Sequence, residues 1–220
     1  MLVIDLNTNT VPQLKLQDTI SKALHLLNEH RVSHLPVVSE EIFLGLIGED
    51  ELLDAENKNM SVEFLQDEFI KVSVNESAHF LKAVNLSNEY QISVVPIINE
   101  NGNLVGTISS QSLLRALGNF SGSQEMGGII VLEMERSQFS ISEINRIVES
   151  NEASIMHLNT TIQAVSGIIT VTVHINKKEL SIIVAAFERY DYNVVYYFGE
   201  EKFENVIHSN YRHLMNYLDI

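Results

Sequence analysis

The first half of the chain carries one stretch of sequence twice. Residues 23–36 read ALHLLNEHRVSHLP and residues 83–96 read AVNLSNEYQISVVP, at a constant offset of 60 residues. Ala23/Ala83, Leu26/Leu86, Asn28/Asn88, Glu29/Glu89, Ser33/Ser93 and Pro36/Pro96 are identical. Beyond the prolines the register slips by one, so Gly45-Leu-Ile aligns with Gly106-Thr-Ile and Leu52-Leu53 with Leu113-Leu114. Solenoids need at least three repeats to bury a continuous core. Two copies point instead to a self-paired module, its halves related by a pseudo-twofold axis that creates two equivalent clefts for small ligands.

Within each copy the apolar pattern switches between helical and strand periods. Asp18 or Thr19 is placed to cap a helix with Ile20, Ala23, Leu24 and Leu27 on one face. A strand at 32–38 follows, broken by Pro36, then an acidic turn at Ser39-Glu-Glu, a strand at 42–47 and a helix through Glu51-Leu-Leu-Asp. The second copy repeats this order with a helix at 77–90, a strand at 92–98, the turn Asn99-Glu-Asn-Gly-Asn, a strand at 104–108 and a helix at 111–117. Between the copies, Asn57-Lys-Asn-Met reads as a polar link and 61–66 as a short helix.

Residues 119–128 hold three glycines and two serines and read as a flexible connector. Beyond it the pattern predicts a strand at 129–134 and a helix opened by a capping box, Ser140 with Glu143. Strands at 153–162 and 167–175, a helix at 178–190 and a strand at 193–198 complete a β-α-β-β-α-β order, that of the ferredoxin-like split motif. Phe203, Ile207, Tyr211, Leu214 and Leu218 then fall at helical spacing. The fold class is α+β, divided as repeat 1 (1–58), repeat 2 (59–118), a linker (119–128), the split-motif domain (129–199) and a terminal helix (200–220).

Composition excludes several classes. A formal charge of −15, with no Lys/Arg run, argues against nucleic acid and anionic membrane as partners. Absence of cysteine removes disulfides, thiol nucleophiles and thiolate metal sites. No stretch reaches the roughly eighteen apolar residues of a membrane span, and the first residues lack a secretory pattern, so a cytoplasmic protein is expected. His30 and His34 straddle a helix-to-strand switch, and His208 and His213 fall on the terminal helix as surface residues; neither pair is a metal site. Tyr190, Tyr192, Tyr196 and Tyr197 are read as packing or interface residues. No nucleophile elbow, P-loop, dinucleotide fingerprint or zinc-protease motif is present, so no catalytic residue, metal or cofactor is assigned and the protein is not expected to be an enzyme.

The duplicated half resembles a tandem pair of CBS domains, a Bateman module. The resemblance rests on the two copies, on Ser33-His-Leu-Pro and Ser93-Val-Val-Pro, and on Gly45 and Gly106 at the later strands. The second half resembles an ACT domain in its element order, and the two in series resemble CBS–ACT proteins of the acetoin-utilisation type. This implies a β-α-β-β-α order in each copy and a regulatory sensor with an adenine nucleotide in the CBS-pair cleft. In that family the adenine lies by the residues before the strand proline, here Leu35 with Pro36, or Val94 and Val95 with Pro96. Ribose and phosphates meet a Gly-x-apolar-Thr/Ser-x-x-Asp/Asn segment. The first copy, Gly45-Leu-Ile-Gly-Glu-Asp-Glu51, keeps an acid at Glu51 but has Gly48 in place of the hydroxyl. The second, Gly106-Thr-Ile-Ser-Ser-Gln-Ser112, keeps Ser109 but has Ser112 where a carboxylate is expected.

The second cleft is favoured. Ser109, Ser110 and Ser112 open a helix, where backbone N–H groups hold anions, and Arg115 follows one turn on. The acids Glu49, Asp50 and Glu51 oppose polyphosphate in the first. The loop at 135–140 lacks the glycine usual in ACT domains. The resemblance further implies a homodimer and a regulated protein partner. Two alternatives stand beside the sensor: a ligand-free dimerisation scaffold, and an amino-acid-sensing regulatory subunit acting through the ACT-like domain.

Overall fold

The computed structural model describes residues 1–7 and 11–199. The helix expected at 200–220 lies outside the described residues. Two compact units divide the chain, Met1–Asn119 and Phe120–Ile220.

In the first unit each copy builds the same small layer. Copy one holds β1 (Leu14–Lys15), α1 (Ile20–His30), β2 (His34–Ser39), β3 (Ile42–Gly48) and α2 (Glu49–Asp54). Copy two holds β4 (Val74–Asn75), α3 (Phe80–Glu89), β5 (Val94–Ile98), β6 (Leu104–Ser109) and α4 (Ser110–Phe120). The sheets have orders β1-β2-β3 and β4-β5-β6, each with a parallel edge strand of two residues beside an antiparallel hairpin. Those edge strands are too short for periodicity to reveal. Thr19 caps α1 by accepting from the Lys22 N–H, as expected. The α3 helix begins at Phe80, three residues later than its pattern suggests, because Asn75 closes a local turn by accepting from the Ser77 N–H and hydroxyl.

Pro36 does not break its strand. It lies inside β2 opposite Leu46, and Pro96 lies inside β5 opposite Thr107. Leu46 sends both its N–H and its C=O to Ile70, each at 2.9 Å, so the Pro36–Leu46 pair exchanges no ladder bonds. The proline nitrogen therefore faces the side of β1, which pairs only with Val37 and Val38. A proline is tolerated where the neighbouring edge stops short of it.

The copies exchange their leading segments. Val3, just before a 3₁₀ turn at Ile4–Leu6, is fully buried among Val74, Ala83, Val95 and Ile108 of copy two, and its N–H donates to the Ala78 carbonyl at 2.8 Å. Val62, opening the 3₁₀ segment Val62–Glu68, is fully buried among Leu14, Ile20, Val37 and Ile47 of copy one, and its N–H donates to the Asp18 carbonyl at 2.8 Å. Each arm then runs along the far sheet. Ile70 pairs with Leu46, while the Asn7 carboxamide imitates a strand, donating to the Val105 carbonyl (3.1 Å) and accepting from the Thr107 N–H (3.3 Å). The duplicated glycines mark these crossings. A Cβ on Gly45 would lie 2.7 Å from Phe69 Cβ, and one on Gly106 would lie 2.2 Å from the Asn7 side chain.

The second unit contains β7 (Gly128–Met134), α5 (Ile141–Glu149), β8 (Ile155–Ile162), β9 (Ile169–Ile175), α6 (Ser181–Arg189) and β10 (Asn193–Phe198). The sheet order β10-β7-β9-β8, antiparallel throughout, is the ferredoxin-like arrangement expected. Ile130, Leu132, Val171 and Val173 meet Ile144, Ile147, Ile183 and Phe187 in its core. The capping box forms only by half. Ser140 accepts from the Glu143 N–H, but the Glu143 carboxylate is taken by the Tyr192 hydroxyl at 3.1 Å. The connector is also shorter and tighter than its composition suggests. Asn119 and Phe120 belong to α4 and Gly128 to β7. A Cβ on Gly127 would come within 2.0 Å of the Ile175 carbonyl oxygen, so that glycine serves close packing.

Gly45→Ala should lower stability by about 1–3 kcal/mol, since its new methyl meets a buried ring stem. Urea unfolding followed by circular dichroism measures this as a reduced midpoint at unchanged slope.

Candidate functional site

The two strand-to-helix junctions, β3–α2 and β6–α4, form a pseudo-symmetric pair. In the second, the Ser109 hydroxyl accepts from the Ser112 N–H at 3.2 Å and donates to the Ser112 hydroxyl at 3.0 Å. Ser109 thus caps α4. The Ser110 N–H donates across the junction to the Ser93 carbonyl at 2.9 Å, and Ser110 itself is exposed. Arg115 is exposed, three residues beyond Ser112 and so on the same helix face. In the first junction, the Glu49 N–H makes the equivalent bond to the Ser33 carbonyl at 2.9 Å. Gly48 offers no capping side chain. Glu51 folds over that glycine, where a Cβ would meet Glu51 Oε2 at 2.4 Å and His34 Cδ2 at 3.6 Å.

A short polar joint ties the two junctions together. The Ser33 N–H donates to Ser93 Oγ at 2.9 Å, and the Ser93 N–H donates to His34 Nδ1 at 3.3 Å. The second bond requires an unprotonated Nδ1. Burial pushes the His34 imidazole below its ordinary value, against the opposing pull of Glu51 and Asp50.

The expected site residues divide by face. Leu35, Val94 and Val95 are completely buried, main chain and side chain alike, and Pro36 and Pro96 are buried with them. The register nevertheless sets Val94 opposite Ser109 and Pro96 opposite Thr107. Leu35 pairs with Ile47 and Pro36 with Leu46. Ser109, Ser112 and the β5 residues therefore meet at one junction, and Glu51 with the β2 residues at the other. Sequence reasoning missed the joint. The shared Ser33/Ser93 position was visible in the duplication, but nothing local announced that His34 reaches Ser93. It also missed Asn7 and Thr107, whose meeting depends on arm exchange.

In the second unit a cavity of about 390 Å³ is lined by Asn151, Lys177, Lys178, Glu179, Ser181 and Ile182, among others. Lys177 Nζ is spent on the Asn151 carbonyl at 2.7 Å. Arg136 lies exposed in the 3₁₀ turn Arg136–Gln138, within the loop at 135–140. Of the tyrosines read as packing or interface residues, Tyr192 is buried and Tyr197 packs partly buried against the core, whereas Tyr190 and Tyr196 are exposed. Tyr192 meets Phe187 edge-on at 5.7 Å, Tyr190 lies under Arg146 at 4.8 Å, and Tyr196 meets Phe198 at 5.5 Å. Burial and the bond to Glu143 push the Tyr192 hydroxyl up to about 12. Among the described residues no cluster of three or more His, Cys, Asp or Glu is arranged to hold a metal ion, and no helix is long and apolar enough to cross a membrane.

The CBS domain family model matches the chain twice, over residues 3–58 and 66–119. The chain is a CBS-domain protein. Its CBS pair is 26% identical over 116 residues to a homoserine O-acetyltransferase of Methanocorpusculum labreanum, a match covering 51% of this chain and 23% of that protein. The chain spans about a fifth of the length of the curated relatives it matches, 20% of an inosine-5'-monophosphate dehydrogenase of Korarchaeum cryptofilum among them. Among solved structures, a CBS domain pair/ACT domain protein from Thermotoga maritima is 23% identical with a TM-score of 0.49, covering 55% of this chain and 98% of that one. CBSX2, solved in complex with AMP, is 20% identical with a TM-score of 0.46, covering 54% of this chain and 97% of that one.

The joint should make the stability of the CBS pair depend on pH. His34 has a depressed folded value, so its contribution is full above the unfolded value of 6.5 and is lost as pH falls through the lower folded value. Chemical denaturation at about pH 8 and about pH 5.5 should show a loss of stability in the wild type that His34→Gln, which keeps an acceptor without titrating, reduces. An equal loss in both proteins excludes His34 as the source.

Proposed function

We propose that the protein is a non-catalytic regulatory module whose CBS pair takes an adenine nucleotide at the second junction. One observation carries this. The first turn of α4 presents the positive end of an eleven-residue helix with two hydroxyls, Ser109 and Ser112, and Arg115 one turn on, in a chain of formal charge −15. The first junction has the same backbone and the opposite charge, with Glu49, Asp50 and Glu51 in its opening turn. A phosphate is accepted at one and repelled at the other, so one nucleotide per chain is expected.

The second unit is ACT-like on element order, and the whole is of the acetoin-utilisation type; we propose that it acts as a cytoplasmic homodimer, signalling to a protein partner. A ligand-free scaffold is the competing reading. Favouring it, the Ser109 and Ser112 hydroxyls already satisfy each other and Glu51 already covers Gly48.

Isothermal titration with AMP, ADP, ATP and S-adenosylmethionine separates the two. Saturable binding at one site per chain supports the sensor; no heat at millimolar ligand supports the scaffold. Ser112→Ala is the sharper variant, because its N–H keeps the Ser109 cap, whereas Ser109→Ala also costs about 1 kcal/mol of helix capping. Combined with Arg115→Ala, it should weaken binding by tenfold or more, about 1.4 kcal/mol.

A further inference from the structure

The four-stranded sheet of the second unit has two faces, and its helices take only one. Ile130, Leu132, Val171 and Val173 pack with Ile144 and Ile147 of α5 and with Ile183 and Phe187 of α6. Side chains alternate along a strand, and cross-strand partners share a face. Ile129 and Val131 of β7, with their register partners Phe198 and Tyr196 of β10, therefore stand on the opposite face. Beyond Val131 the same row turns polar, with Thr172 of β9 and Asn159 of β8.

The apolar half of this face is left open at its margin. Val131 is 3% exposed and lies outside the cluster that the helices close. The Tyr196 and Phe198 rings, 5.5 Å apart, are 42% and 59% exposed. A sheet with apolar residues on both faces needs a layer against each.

The chain supplies that layer from the right place. Gly199 follows Phe198 directly, on the edge strand of the apolar half, and residues 200–220 continue from it. In that segment Phe203, Ile207, Tyr211, Leu214 and Leu218 recur at helical spacing. The same spacing sets Asn205, Ser209, Arg212, Asn216 and Asp219 opposite them. A helix from 203 to 218 is about 24 Å long. The seven residues of β7 extend about 23 Å.

We propose that residues 200–220 dock on this outer face of their own chain, as an amphipathic helix running back along β10 and β7. Its apolar stripe covers Ile129, Val131, Tyr196 and Phe198, and its polar side faces solvent. A narrow stripe suits a face that is apolar along β10 and β7 and polar along β9 and β8. Attachment beside the face favours this occupant over a free partner, because docking becomes an intramolecular step.

The chain has no cysteine, so introduced thiols report the contact directly. The full chain carries Thr172→Cys, at the centre of the face, together with Ile207→Cys, Tyr211→Cys or Leu214→Cys in turn. Ser209→Cys, on the polar side, is the control. Each protein is oxidised under native conditions and separated by electrophoresis without reductant. At least one stripe variant should form an intrachain disulfide, migrating as a looped monomer, about tenfold faster than the control. Equal rates for stripe and control overturn the proposal, since the segment is then merely tethered. A disulfide-linked dimer overturns it in favour of a second copy on the face. Absence of a disulfide from all three stripe positions overturns it as well, and leaves the face to another partner.

Discussion

Exchange of the leading arms is the constraint on which the first unit depends. Neither copy closes its own core. Val3, at the start of copy one, fills copy two, and Val62 and Phe69, ahead of β4, fill copy one. A domain of about sixty residues buries too little apolar surface to be comfortably stable by itself. Swapping the arms makes each core contingent on the other copy, and the hairpin tips add to this, with Leu104 N–H donating to the Glu41 carbonyl and Phe43 N–H to the Gly102 carbonyl. The glycines at 45 and 106 follow from the same constraint. Each is where an arm crosses β3 or β6 too closely for a Cβ.

That constraint explains what was legible in the sequence and what was not. Periodicity is a local property, and the helices and hairpins it governs, α1 with Ile20, Ala23 and Leu27 or β9 with Ile169, Val171 and Val173, appear where the pattern puts them. The duplication itself announced the pairing. Two-residue strands such as Leu14–Lys15 are invisible because they exist only by lying beside Val37 and Val38. Pro36 was misread for a related reason. Its tolerance depends on where a neighbouring strand ends and on Leu46 bonding to Ile70, and both are long-range facts. The half-formed capping box is another case, since Glu143 is drawn away by Tyr192, 49 residues distant. At the candidate site, the helix starts and the strand prolines were readable from spacing, whereas His34 meets Ser93 only through the pairing of copies, and Asn7 meets Thr107 only through the arm exchange.

The two junctions share a backbone and differ in charge and hydrogen-bonding groups. Gene duplication would make the junctions equal, yet one carries Gly48, Glu51 and Leu46 where the other carries Ser109, Ser112 and Thr107. The Ser33–Ser93–His34 joint lies between them, and the Ser110 N–H bond to the Ser93 carbonyl ties the second junction to it. Polar contacts in a partly buried joint are worth most when all are satisfied and weaken together when one is lost. A group that settles at Ser109 and Ser110 competes for the N–H that Ser110 gives to the Ser93 carbonyl, and Ser93 is the residue that holds both Ser33 and His34. The two junctions are thereby connected through three hydrogen bonds, from the Ser110 N–H to the Ser93 carbonyl, from the Ser33 N–H to Ser93 Oγ and from the Ser93 N–H to His34 Nδ1.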